Sequence, residues 1–190
     1  MLISGRAHLV VAVAVLAGVG LSADPASAHQ PRATASLSGC DDAGIWGEAV
    51  LREKRSKEGV KLVTVRLKMG GLPEGKHAVH IHETAACKPC TAAEGHFDPG
   101  PESNSSPDGN HPFHMGDLVN IAANGNGLGL LTTQTTRVTL SDEPLSIFKP
   151  NGKASSAFIV HTDPDSYCPD GEEAGCAGGG RIACGIIRRQ

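Results

Sequence analysis

The chain has 190 residues, with 17 Lys and Arg against 20 Asp and Glu and a formal net charge of -3; it contains one Trp, one Tyr and four Phe. No basic stripe or interleaved aromatic platform runs along it, so the footprint of a nucleic-acid binder is missing and small-molecule chemistry is the better expectation. Residues 29–190 are the size of one domain with a single core.

The N-terminus carries Arg6, an apolar run from Leu9 to Leu21, and Ala26-Ser27-Ala28. That order fits an export signal ending at a small-residue cleavage site, so residues 1–28 are read as a signal peptide and the product as secreted or periplasmic. An apolar run of about 13 residues is shorter than the roughly 20 that span a bilayer, and no cysteine there offers a lipid attachment point. No stable membrane anchor is expected. His29 would head the mature chain, where a disordered tail is the expectation rather than a copper chelate.

Short alternating or apolar runs, separated by Gly, Pro and Asn, predict an all-β domain. The expected strands are Ala33–Leu37, Gly47–Arg52, Lys61–Met69, Ala78–His82, Leu118–Ala122, Leu128–Thr133, Ala157–His161 and Ile182–Ile187. In the third, Val63, Val65, Leu67 and Met69 share a face opposite Thr64, Arg66 and Lys68, as one buried face requires. Asn124-Gly125-Asn126-Gly127 predicts a hairpin, because Asn and Gly accept the positive φ of tight turns. Eight short strands suit a barrel or sandwich. Two long segments, Glu83–Gly116 and Thr162–Arg181, do not read as strands; they hold most histidines, acids and extra cysteines and are expected to be functional loops.

The six cysteines, Cys40, Cys87, Cys90, Cys168, Cys176 and Cys184, are an even set in an exported chain and point to disulfides. Composition alone does not pair them. Cys87-x-x-Cys90 has no second pair to complete a zinc knuckle and no helix start for a redox motif.

His80 and His82 alternate at a predicted strand end, on one face and about 7 Å apart. His77 has the opposite parity and is expected to point away unless the chain bends near Ala78. His96 follows in Glu94-Gly95-His96-Phe97-Asp98-Pro99, His161 ends the strand Phe158-Ile159-Val160, and His111, His114 and Asp117 form an H-x-x-H-x-x-D cluster. Imidazoles with one carboxylate suit copper or zinc rather than calcium or magnesium.

From about Ala33 onward the chain resembles copper/zinc superoxide dismutases, in five stretches: Gly75 to Glu83, Glu94 to Pro99, His114 to Leu118, Phe158 to His161 and Gly180 to Ile187. The resemblance implies an eight-stranded Greek-key barrel that dismutes superoxide to oxygen and hydrogen peroxide. It implies copper held by His80, His82, His96 and His161, with His96 bridging to zinc, releasing copper on reduction and carrying a proton. Zinc would take His96, His114 and Asp117. The family's remaining zinc histidine falls where this chain has Asn104 and Ser105, so His111 is expected to substitute, with water, Asn104 or a weak zinc site as alternatives. Asp165 matches a carboxylate that orients the metal-bound histidines. Arg181 matches an arginine that docks the substrate anion beside copper. Cys87 and Cys184 match the family disulfide, with Cys168–Cys176 and Cys40–Cys90 as further bridges, although Cys87 and Cys90 can exchange roles.

Two readings compete with the enzyme. A periplasmic copper-binding or chaperone protein on the same barrel would need only affinity, whereas this chain keeps every copper position and the arginine. A zinc hydrolase would want an open zinc and a general base, against the bridging histidine. Oligomeric state is not written in the sequence.

Overall fold

The computed structural model describes residues 30–100, 106, 108–109, 111–141 and 145–190. The expected signal segment 1–28 and Asn104 lie outside the described residues. Within them the chain forms β1 (Arg32–Gly39), β2 (Trp46–Arg55), β3 (Lys61–Gly70), β4 (Gly75–His77), β5 (Val79–His82), β6 (Ile121–Ala123), β7 (Gly129–Thr135), β8 (Ala157–His161), β9 (Arg181–Ile186) and β10 (Arg188–Arg189). All pair antiparallel.

The strand order is β4-β6-β7-β3-β2-β1-β9-β8-β5, with β10 on β1. Since only Ala78 separates β4 from β5, one bent segment stands at both ends of this path and nearly closes a barrel. Counted as one strand, that segment leaves eight staves, and β10 merely extends the β1 edge. The link from β3 to β4 passes β7 and β6, the crossing that defines a Greek key.

The alternating residues do what their period dictates. Ala33, Ala35 and Leu37 of β1, Ala49 and Leu51 of β2, and Val63, Val65, Leu67 and Met69 of β3 fill the barrel. The Asn124–Gly127 hairpin forms as expected: Asn124 Oδ1 accepts from the backbone of Asn126 and Leu128, and Gly127 adopts φ 75°. A second apolar cluster lies outside the wall, where Ala157, Ile159 and Cys184 meet Cys90 and Ala93 of the loop after β5.

Two expected strands move. Ala78 leaves the ladder because its N–H donates to Asp163 O and its carbonyl accepts from His161 N, both at 2.9 Å. The strand expected from Leu118 starts only at Ile121, since the Asn120 side chain is bonded to the backbone of Asp165. The chain between β7 and β8, which carries no strong motif, is fixed by a buried acid of β2. Glu53 Oε2 accepts from Leu140 N at 2.6 Å and Oε1 from Ser141 Oγ at 2.9 Å.

Removing that carboxylate would strand a buried N–H group. Glu53→Ala should therefore destabilise the protein by about 1–3 kcal/mol. Chemical denaturation monitors the effect, with metal content unchanged.

Candidate metal centre

On β5, Val79 and Ile81 enter the core while His80 and His82 face outward, yet all four residues are buried. The covering is the long loop after β5, which returns alongside that strand. Phe97 N donates to Ile81 O, Ile81 N to Gly116 O and Gly116 N to Phe97 O. A Cβ at Gly116 would collide with the Ile81 carbonyl, so glycine permits this approach. His80 thereby meets Asp117, and His82 meets His96, as isolated bridge partners. His161 comes from the adjacent end of β8, where a bulge after Val160 sets it opposite Arg181.

The partners of each ring determine which nitrogen keeps a lone pair. His80 Nε2 donates to Asp165 Oδ2 at 3.1 Å, His82 Nδ1 to Glu94 O at 2.8 Å and His161 Nδ1 to Gly179 O at 3.1 Å. Gly178 and Gly179, at φ 105° and 65°, shape the backbone that presents this last carbonyl. His96 Nδ1 lies 2.7 Å from Asp117 Oδ1. Unprotonated nitrogens remain on the opposite edges: His80 Nδ1, His82 Nε2, His96 Nε2 and His161 Nε2. His80 Nδ1 and His161 Nε2 face each other at 3.2 Å, and the Nε2 atoms of His82 and His96 are buried without any partner. The four residues each offer a ligand atom within 4.8 Å of the others. Four converging lone pairs repel unless a cation sits among them, so this donor set fits a transition-metal ion.

A second group adjoins the first through His96. Its Asp117 carboxylate meets three Nδ1 atoms: His96 at 2.7 Å, His111 at 3.1 Å and His114 at 3.1 Å. Ligands of a tetrahedral zinc ion lie about 3.3 Å apart, from bonds of about 2.0 Å, so these separations suit a small divalent ion. By mutual distance alone, His80 joins His96, His111 and Asp117 in a four-residue group. His80 Nε2 is committed to Asp165, whereas His114 Nδ1 addresses Asp117 directly.

Asp165 ties the groups together, taking His80 Nε2 on one side and His111 Nε2, at 2.8 Å, on the other. Asn120 clamps the Asp165 backbone, accepting from its N–H at 2.8 Å and donating to its carbonyl at 3.0 Å. No sequence signal marks Asn120. His77 stays outside both groups, its ring nitrogens on the carbonyls of His161 and Pro73. Arg181 Nη1 donates to Cys90 O at 2.9 Å and Nη2 to Glu94 O. Disulfides join Cys87 to Cys184, Cys40 to Cys90 and Cys168 to Cys176.

Burial lowers the His82 pKa well below its ordinary value, with His96 and Arg181 adding repulsion. Burial likewise takes His96 to about 4 and His161 to about 3. Burial also opposes charge on His111, but the flanking Asp117 and Asp165 outweigh it and raise this ring to about 9. Burial works against ionisation of both carboxylates; their histidine contacts prevail and hold them below the usual range.

A profile of the copper/zinc superoxide dismutase family (SODC) matches residues 45–187. A superoxide dismutase [Cu-Zn] 2 from Aquifex aeolicus (strain VF5) is 37% identical over 180 residues, covering 92% of this chain and 96% of that protein. A superoxide dismutase [Cu-Zn] from Legionella pneumophila is 37% identical over 119 residues, 62% of this chain; the match spans 65% of the Legionella protein. The crystal structure of the clock protein EA4 superposes with a TM-score of 0.62 at 27% identity, over 83% of this chain and 93% of that one.

The shifted rings give the metal-free protein a two-sided pH response. His96 and His161 stay neutral when folded, so below their ordinary 6.5 the unfolded chain takes up protons the folded one refuses; stability falls as pH drops from 6.5 toward 3. His111 acts oppositely, its contribution complete below 6.5 and lost as pH rises through about 9. Thermal unfolding of the metal-free protein should peak between these flanks, and a His111→Gln variant should lose the alkaline decline.

Proposed function

This chain belongs to the copper/zinc superoxide dismutase family, and we propose that it converts two superoxide ions and two protons into oxygen and hydrogen peroxide at the histidine cluster. The observation that carries this reading is the convergence of His80, His82, His96 and His161, four buried imidazoles that each offer a ligand nitrogen within 4.8 Å of the others, the Nε2 atoms of His82 and His96 having no hydrogen-bond partner. Bound there, copper supplies the one-electron redox change, and zinc in the adjoining site supplies a fixed positive charge.

Copper is assigned to His80 Nδ1, His82 Nε2, His96 Nε2 and His161 Nε2. Zinc is assigned to the Nδ1 atoms of His96, His111 and His114 and a carboxylate oxygen of Asp117. The choice of His111 as the fourth zinc ligand rests on its Nδ1 contact with Asp117 and on Asp165 orienting its other nitrogen. His96 presents one nitrogen to each group and Asp117 fixes its ring, so its Nε2 can hold a proton and pass it to the outgoing peroxide. Arg181 docks the anionic substrate. Its guanidinium is braced by two carbonyls, and its charge is felt by both His82 and His161. Three disulfides and the apolar N-terminal run support residence in an oxidising compartment outside the cytoplasm. Among the described residues, no helix is long and apolar enough to cross a membrane.

The deciding experiment is metal analysis joined to a superoxide-removal assay on protein loaded with both ions. One copper and one zinc per chain with turnover is expected; bound copper without turnover would leave only a copper-binding protein. Arg181→Glu should slow removal on the order of tenfold or more at low ionic strength and much less at high, because it reverses the local potential. His111→Ala should retain copper but bind zinc at least about tenfold more weakly. Unchanged zinc affinity would remove His111 from the ligand set.

A further inference from the structure

The loop from Thr162 to Gly180 carries no strand and holds five glycines, yet it presents the Asp165 carboxylate between His80 and His111. Fixing such a segment costs much conformational entropy, so its tie points decide how well that carboxylate is placed. A disulfide joins Cys168 to Cys176, eight positions apart. The Cys176 carbonyl accepts from both the backbone N–H and the hydroxyl of Ser166, each at 3.0 Å, which anchors the residue after Asp165. A further tie comes from the other loop, the one after β5. There Asp108 accepts the N–H of Gly175 on Oδ2 at 3.0 Å and the N–H of Ala177 on Oδ1 at 3.2 Å. Gly175 adopts φ 82°, a left-handed value open to glycine, in the turn that aims both N–H groups at this one carboxylate.

Asp108 precedes His111 by three residues, so the short stretch between them is fastened to the second loop at both ends. One fastening is the Asp108 carboxylate at Gly175 and Ala177; the other is His111 Nε2 on Asp165 at 2.8 Å. A single contact leaves a segment free to pivot, whereas two fix its place and its orientation. His111 needs that support, because it stands in a turn rather than a strand and its Nδ1 must still reach Asp117 Oδ2 at 3.1 Å. Backbone N–H groups bond an ionised carboxylate about twice as strongly as a neutral acceptor, which suits an acid to this task.

We propose, on the reading of the His96, His111, His114 and Asp117 group as the zinc site, that Asp108 is a positioning residue for it: by gripping Gly175 and Ala177 it holds His111 against Asp165 and so sets the affinity of the group for a divalent ion. Asp108 acts through the two loops rather than at the ion. With Asn104 and Ser105 where a histidine was expected, the chain draws its fourth ligand from farther along the loop, and this latch supplies the bracing that ligand needs. No motif marks Asp108, since its partners lie 67 and 69 positions away. The coupling is reciprocal: by whatever factor a closed latch tightens zinc, bound zinc favours the closed latch by the same factor.

The test titrates the full disulfide-bonded protein with zinc or cobalt(II) after its first group has been filled with Cu(I), which shows no d–d absorption. Asp108→Ala should bind either ion about tenfold or more weakly, and its cobalt d–d bands should shift and weaken as the coordination becomes less tetrahedral. Asp108→Asn, which keeps an acceptor oxygen, should recover most of the affinity and the wild-type bands. A merely structural acid would instead lower the melting temperature of the metal-free protein and leave the cobalt spectrum unmoved. One readout requires no variant: zinc should slow amide hydrogen exchange at Gly175 and Ala177 of the wild type by about the factor that Asp108→Ala costs in affinity. Wild-type affinity and bands in Asp108→Ala, or exchange at Gly175 and Ala177 indifferent to bound zinc, overturn the proposal and leave the zinc reading in place. Failure of the wild type to take up zinc or cobalt, or cobalt bands that ignore His114→Ala, overturns the zinc reading and the role of Asp108 with it.

Discussion

The loop end of this barrel depends on two ionised carboxylates, Asp117 and Asp165, set among buried imidazoles. Each takes contacts from more than one ring, and each contact decides which nitrogen keeps its lone pair. Asp165 holds the proton of His80 on Nε2 and so frees Nδ1 to face the other three histidines of its group. Asp117 collects three Nδ1 atoms and so defines the second group. Without these anions the rings would be free to turn and to exchange tautomers, and their nitrogens would not converge.

The barrel supplies the stiffness this requires. Its β2–β3 side is a regular ladder with a filled interior, whereas its β5–β8 side is covered by loops on its outer surface. Buried outward residues such as His80 and His82 are possible only because the loop after β5 is bonded back through Phe97 and Gly116. Two of the disulfides lie in the cluster beneath that loop, and the same region supplies the Cys90 and Glu94 carbonyls that brace Arg181. Packing, cross-links and the bracing of Arg181 therefore share one structural unit.

The chain's modest negative charge conceals a strong separation. Its acids at the metal centre are consumed by histidines, while arginines far apart in sequence line one wall of the barrel. Net charge describes neither surface, because pairing and register decide which charges remain unneutralised.

By itself the sequence determined the strand periods of β1 to β3, the Asn124–Gly127 turn, and the clustering of histidines at strand ends and in loops. Each is a local pattern whose physical cause lies within a few residues. Tertiary structure alone decided the rest. The break at Ala78, the inward role of Glu53 and the clamp of Asn120 on Asp165 come from hydrogen bonds to residues 45 to 88 positions away. The approach of His111 to Asp165 likewise follows from how the long loop closes, since H-x-x-H spacing says nothing of that acid, 54 residues further on. Contacts over such distances arise when loops fold back on a finished barrel, and no short stretch of sequence encodes them.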